Sequence, residues 1–183
     1  LKKREPKVTG YKALLSPNGA IVDSKGFLEA VANEAKEKGA RFVMGAKVYD
    51  IKGNRVITSR GEFEADYIIN CAGLYADRIA HIMGVGLDYE IIPFRGEYME
   101  IKNAEVNSMV YQAPDLRYPF LGVHLTKTID GKVIAGPTSM LAFGRESYEK
   151  EFNLRETIGI LGTLNFWRLV TILEFLKLVR HNA

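Results

Sequence analysis

Chemistry in this chain is concentrated in a few side chains set at short, regular spacings. His124 lies in an alternating run in which Gly122, His124 and Thr126 share one face while Leu121, Val123 and Leu125 share the other. Imidazole accepts and releases protons near neutral pH, and glycine neighbours leave room for a small molecule to reach it. On that reading His124 is a general base for a substrate hydroxyl, with the Thr126 hydroxyl beside it. The plainer reading is a half-exposed sheet histidine. Arg95, between Phe94 and Gly96, and Arg117, two residues after Asp115, are candidate carboxylate anchors, since a guanidinium offers two parallel donors to one carboxylate. A local ion pair with Asp115 is the competing account of Arg117. Tyr98 either donates a hydrogen bond to substrate or belongs to the core. Cys71-Ala72-Gly73 follows an apolar run, and residues this small let a ribose or phosphate come close to the backbone. A tight strand-to-helix turn needs small residues too, so both readings stand.

The elements that must position these groups follow from period and punctuation. Asp23 is the N-cap of a helix over residues 23–38 that stops at Gly39, with Phe27, Leu28, Val31 and Ala35 on one face, expected to lie on a sheet. Strands are expected at 41–44, 47–51, 55–58 and 62–64, with Gly53-Asn54 and Arg60-Gly61 as turns. Residues 67–70 read as a buried parallel strand leading through the Cys71 turn into a helix at 75–83, closed by Gly84. From Pro93 to Pro137 the pattern is that of antiparallel strands. Asp130-Gly131 reads as a two-residue hairpin turn, pairing Thr126 with Ala135 and His124 with Pro137. From Asn153 onward the chain reads as helix, interrupted near Gly159 and Gly162.

These elements predict an α+β fold divided near residues 88–93. Residues 1–90 are expected to form part of a Rossmann-like α/β lobe, and residues 91–183 an antiparallel sheet with C-terminal helices. The 183 residues, 47% hydrophobic and 26% charged, suffice for one domain or two small lobes. The net charge of +3 is spread without a basic stripe, which argues against nucleic acid as a partner. The single cysteine rules out an internal disulfide and any multi-cysteine zinc site; a reducing cytosol, with no metal, is the expected setting. The most apolar stretch, 164–179, is broken by Arg168, Glu174 and Lys177, so no membrane span is expected. Both ends look cut: the chain opens on Leu1 and stops soon after a helical pattern.

Several blocks recur together in one family. They are Ile21-Val22-Asp23, Asn70-Cys71-Ala72-Gly73-Leu74-Tyr75-Ala76-Asp77-Arg78, Pro93-Phe94-Arg95-Gly96-Glu97-Tyr98, the run from Pro114 to His124, Asp130-Gly131, Gly136-Pro137 and Leu141-Ala142-Phe143. In this order the set resembles the L-2-hydroxyglutarate oxidases and dehydrogenases, within the FAD-dependent superfamily typified by D-amino-acid oxidase. The resemblance extends over roughly residues 5–170, and its most specific block is Arg117-Tyr118-Pro119-Phe120-Leu121-Gly122-Val123-His124. Two positions depart from the family pattern. Thr138 stands where an asparagine is usual, and Gly144 stands where a basic residue usually precedes Arg145. Both bear on substrate preference.

The resemblance implies FAD as cofactor, with Cys71, Ala72 and Gly73 against it and main-chain contacts to the adenine near Val48. It implies oxidation of L-2-hydroxyglutarate to 2-oxoglutarate, with His124, Arg95 and Tyr98 at the reacting centre and Arg117, Thr126 and Thr138 about the substrate. The GxGxxG turn that holds the FAD pyrophosphate in such enzymes has only one near match here, Gly84-Val85-Gly86, with no third glycine and no preceding strand. The isolated chain is therefore expected not to retain FAD, and to leave apolar surface for self-association or a partner chain. Two alternatives stay open. One is another enzyme of the superfamily, such as a glycerol-3-phosphate dehydrogenase or an amino-acid or amine oxidase. The other is a non-catalytic fragment or subunit that needs a partner.

Overall fold

Local capping places the first helix. Asp23 Oδ1 accepts the Gly26 N–H at 3.1 Å while the Asp23 carbonyl takes the Phe27 N–H, and α1 (Ser24–Glu37) runs from there. Gly39, at φ 91°, ends it: its N–H reaches Lys36 O, and the Ala40 N–H reaches Ala35 O, both at 2.9 Å. The structure, a computed structural model, describes residues 1–114, 122–149 and 153–171. The apolar stripe of α1 does not lie on a sheet as its spacing implied. Phe27 and Leu28 are 63% and 68% exposed, and no residue of the helix is buried.

Strands β1 (Val48–Lys52), β2 (Arg55–Thr58) and β3 (Gly61–Glu64) form an antiparallel meander, β1 carrying an irregularity between Val48 and Asp50. Gly53 takes φ 62° in the first two-residue turn, as a tight hairpin requires. Two expected strands are absent. Residues 41–44 are not in a sheet, and neither are residues 67–70, whose Tyr67 and Ile69 are 90% and 85% exposed. An apolar run becomes a strand only where neighbours take up its backbone N–H and C=O groups, and no described residue pairs with this one. Asn70 instead organises the turn that follows, accepting the Ala72 N–H and donating to Ala76 O. A short 3₁₀ turn, Gly73–Tyr75, then enters α2 (Ala76–Ile82), which ends at Gly84 (φ 70°).

Strands β4 (Phe94–Arg95), β5 (Met99–Glu100), β6 (His124–Lys127), β7 (Val133–Gly136) and β8 (Met140–Leu141) follow. β4 pairs with β8, and β5-β7-β6 make a three-stranded antiparallel sheet. The hairpin sits where expected but one residue out of register: His124 faces Gly136 and Thr126 faces Ile134. The loop has three residues, not two. The Thr128 N–H bonds to Lys132 O, the Gly131 N–H bonds to Thr128 O, and Gly131 at φ 83° provides the left-handed step. Asn153 caps α3 (Leu154–Leu161), accepting the Glu156 N–H at 3.1 Å. The expected break falls at Gly162, before α4 (Leu164–Thr171).

The chain thus mixes helix and sheet, and it divides into two compact units that interleave along the sequence. One joins Ala35–Pro93 to Leu141–Leu169; the other joins Leu1–Glu34 to Phe94–Met140 and the described residues from Val170. In the first unit Ile51, Ala142, Ile160 and Phe166 are buried; in the second, Val133 is the buried apolar residue among those described. Among the described residues no helix is long and apolar enough to cross a membrane.

Candidate functional site

The β5-β7-β6 sheet assembles a row of side chains around His124. The pairing of Met99 with Ala135 carries Tyr98 opposite Gly136, and the bridge between Val110 and Leu125 carries Tyr111 opposite His124. Residues directly opposite in an antiparallel sheet share a face, so Tyr98, Gly136, His124 and Tyr111 form one row across it. The Tyr111 ring stacks on the imidazole, centroids 4.6 Å apart and planes 28° apart. Tyr98 meets it edge-on at 6.1 Å and 73°. Gly136 makes this possible: a Cβ there would stand 2.6 Å from Tyr98 Cδ1 and 2.7 Å from Glu97 O.

His124 Nδ1 lies 3.1 Å from Gly122 O. A carbonyl oxygen only accepts, so Nδ1 carries the hydrogen and Nε2 of the neutral ring keeps its lone pair. Two residues along the same face, Thr126 Oγ1 is buried with no hydrogen-bond partner among the described residues. A proton acceptor and an uncommitted hydroxyl therefore stand on one sheet face. Thr138 holds backbone, its Oγ1 accepting the Glu97 N–H at 3.1 Å and its N–H bonding to Glu97 O at 2.9 Å. Arg95 has its guanidinium on Glu97, Nη2 to Oε1 at 2.9 Å and Nε to Oε1 at 3.2 Å. The structure thus brings Tyr98, His124 and Thr126 onto one sheet face, while Arg95 stands on β4, in the β4–β8 pair. Arg117 lies outside the described residues.

The candidate cofactor residues are in the other unit. Val48 opens β1 opposite Thr58, and Cys71 is exposed. Gly73 has φ 53°, and nothing lies within 4 Å of where its Cβ would stand, so the backbone of the turn is open there.

Sequence reasoning missed two features. Tyr111 was one; its alternation with Met109 was the only local signal, and its position depends on the Val110–Leu125 bridge. The other is an ionic cluster in the unit that holds α2 and α3. Arg145 binds Asp77 through two bonds of 2.7 Å, Nη1 to Oδ1 and Nη2 to Oδ2, and both side chains are buried. Arg145 Nη1 also donates to Leu74 O, and the Arg145 N–H reaches Glu156 Oε2 at 2.7 Å. Glu156 pairs with Arg78 at 3.1 Å. Burial alone would push the Asp77 carboxyl up. Hydrogen bonds from Arg145 and from the Ile91 and Arg78 N–H groups, with the guanidinium charge, outweigh that and hold it below the ordinary carboxylate range. Tyr75, beside this cluster, is pushed up by burial and by its hydrogen bond to Glu146. A cavity of about 650 Å³ opens beside the cluster, lined among others by Lys47, His81 and Arg155.

Residues 1–164 match the family described as DAO, FAD dependent oxidoreductase. The chain is similar to the L-2-hydroxyglutarate dehydrogenase of Escherichia coli (strain K12), 39% identical over 179 residues, covering 93% of this chain and 42% of that protein. It is 38% identical over 180 residues to the L-2-hydroxyglutarate dehydrogenase of Indibacter alkaliphilus, covering 93% of this chain and 45% of that one. The mitochondrial L-2-hydroxyglutarate dehydrogenase of Homo sapiens is 33% identical over 181 residues, with 88% and 39% covered. The chain therefore spans less than half the length of these relatives. Among solved structures, L-proline dehydrogenase from P. horikoshii superposes with a TM-score of 0.50 at 24% identity, covering 74% of this chain and 37% of that one, a likeness of fold.

Proposed function

The chain belongs to the FAD dependent oxidoreductase family, and from that premise we propose that it is part of an enzyme oxidising L-2-hydroxyglutarate to 2-oxoglutarate. One observation carries the reading: His124 offers Nε2 on a sheet face that also holds the Thr126 hydroxyl and the Tyr98 ring. His124 Nε2 takes the hydroxyl proton of the substrate and becomes imidazolium, while Nδ1–H stays on Gly122 O. As the O–H bond breaks, its electrons form the new carbonyl. Thr126 donates a hydrogen bond to the substrate, and Arg95 and Arg117 hold its carboxylates. Flavin, when bound, supplies the two-electron acceptor for the hydrogen leaving Cα. The open backbone at Gly73 fits the nucleotide end of that cofactor, with Cys71, Ala72 and Val48 at its flanks. Residues 1–90 then serve the nucleotide side and residues 91–183 the substrate side.

The test is a chimera in which this chain replaces the aligned segment of the Escherichia coli relative. Purified with FAD and an artificial electron acceptor, it should oxidise L-2-hydroxyglutarate, and His124→Ala should lower turnover by roughly two to four orders of magnitude. Oxidation of glycerol 3-phosphate or an amino acid in its place would move the assignment to another branch of the family. A loss of only a few fold in His124→Ala would return the histidine to a structural role.

A second reading has its own support. Tyr11 and Leu14 in one unit, and Tyr67 and Ile69 in the other, are 85–100% exposed, large apolar side chains that a partner would take out of water. On this reading the chain works only when joined to a partner that covers that surface.

A further inference from the structure

We propose that Tyr111 is a positioning residue for His124, holding the imidazole in one tautomer and one orientation and receiving the positive charge formed when Nε2 is protonated. The proposal deepens the reading of His124 as the base and rests on it.

Three contacts confine the ring. Gly122 O takes Nδ1–H at 3.1 Å, Tyr111 covers one ring face at 4.6 Å, and the Tyr98 edge closes a flank at 6.1 Å. The backbone sets the Tyr111 contact. Val110 N–H to Leu125 O and Leu125 N–H to Val110 O, both 2.9 Å, lock the segment to β6 one residue away from the stacked pair. A single hydrogen bond to Nδ1 selects the tautomer only while the ring stays aligned with Gly122 O, and alone it leaves the ring able to rock out of that alignment. A stacked aromatic face removes that freedom without touching either nitrogen. It also does electrostatic work that a merely space-filling residue does not. The face of a tyrosine ring carries negative quadrupole density, so it attracts a cation lying over it. The imidazole is neutral before proton transfer and cationic after it, so the attraction grows as the proton moves. An interaction that strengthens along the reaction raises turnover without tightening substrate binding.

The π-face, and not the phenol hydroxyl, carries this role, which separates two substitutions. Tyr111→Phe keeps the face; Tyr111→Leu removes it, and Tyr111→Val removes it with a β-branched residue suited to extended backbone beside the Val110 bridge. In the ¹⁵N-labelled chain, the His124 ring nitrogens of the parent should report the Nδ1–H tautomer at alkaline pH. Tyr111→Phe should keep that pattern, and Tyr111→Leu and Tyr111→Val should both move the two nitrogens toward an averaged mixture. An unchanged Leu125 amide resonance verifies that the Val110 bridge survives in each. In the chimera, Tyr111→Leu should lower kcat by roughly three- to thirty-fold with KM little changed, and Tyr111→Phe should stay within about two-fold. Parent-like tautomers and kcat in both Tyr111→Leu and Tyr111→Val, with turnover still dependent on His124, overturn this proposal and leave the base in place. Turnover that survives His124→Ala overturns the base reading, and this proposal falls with it.

Discussion

Asp77 and Arg145, 68 positions apart, meet in a buried, two-bonded pair, and no spacing rule points from one to the other. That His124 and Thr126 share a sheet face was legible because alternation within one strand is a local property. Tyr111, Asp77 and Arg145 were not, because each acquires its partner only through the fold. The pair also has the larger energetic weight. Asp77→Ala leaves a buried guanidinium without its counter-ion, and the expected loss is about 3–5 kcal/mol of unfolding free energy by urea titration at pH 7. A loss below about 1 kcal/mol would mean that water reaches Arg145. The pH dependence has a defined sign. The folded-state carboxyl lies below the ordinary range, so the folded state binds this proton less readily than the unfolded chain does. Stability from the pair is complete above the unfolded carboxylate value, about pH 4, and is lost as pH falls through the depressed folded one. Asp77→Asn should show a shallower fall on that acid limb than the parent; parallel curves would remove Asp77 as its source.

Whole elements sort by the same criterion. α1 and α3 begin where Asp23 and Asn153 cap them, and α1, α2 and α3 end beside Gly39, Gly84 and Gly162, since these residues act on neighbours within one turn. The strands assigned to residues 41–44 and 67–70 failed because apolar content alone does not supply a pairing partner. The hairpin lies between: Asp130-Gly131 marks the turn, yet a two-residue and a three-residue loop share that dipeptide, and the difference moves every cross-strand pair by one. That shift puts His124 opposite Gly136 and not Pro137, and so opens room for Tyr98. At α3, Asn153→Ala removes the side-chain acceptor for the Glu156 N–H and should cost about 1 kcal/mol. Amide exchange in the first turn of α3 should quicken accordingly; unchanged protection would show that the cap is redundant.

At the scale of the molecule, membership of the family was legible from the order of the blocks, and exposed apolar surface was expected, whereas which side chains would form it was not. Side chains such as Leu28, Val31 and Tyr67 sit in patterns that signal burial, and the structure leaves them in contact with water. The isolated chain should therefore associate with itself, its sedimentation coefficient rising with concentration across the micromolar range. It should also stay colourless after gel filtration with added FAD, because no GxGxxG turn is present in its sequence to neutralise the pyrophosphate. A yellow stoichiometric complex, or a monomer at all concentrations, would each count against this account.

The interleaving of the two units has a consequence for biosynthesis. Ala35–Pro93 leaves the ribosome well before Leu141–Leu169, the segment with which it forms one unit. At roughly 5–20 residues per second, that delay lasts on the order of several seconds. Throughout it Asp77 waits for Arg145, and the nascent meander carries an unfinished core. The first-made half of that unit is thus open to chaperone capture while it waits, and a synonymous codon change that slows translation between Phe94 and Met140 lengthens that exposure without altering a single residue.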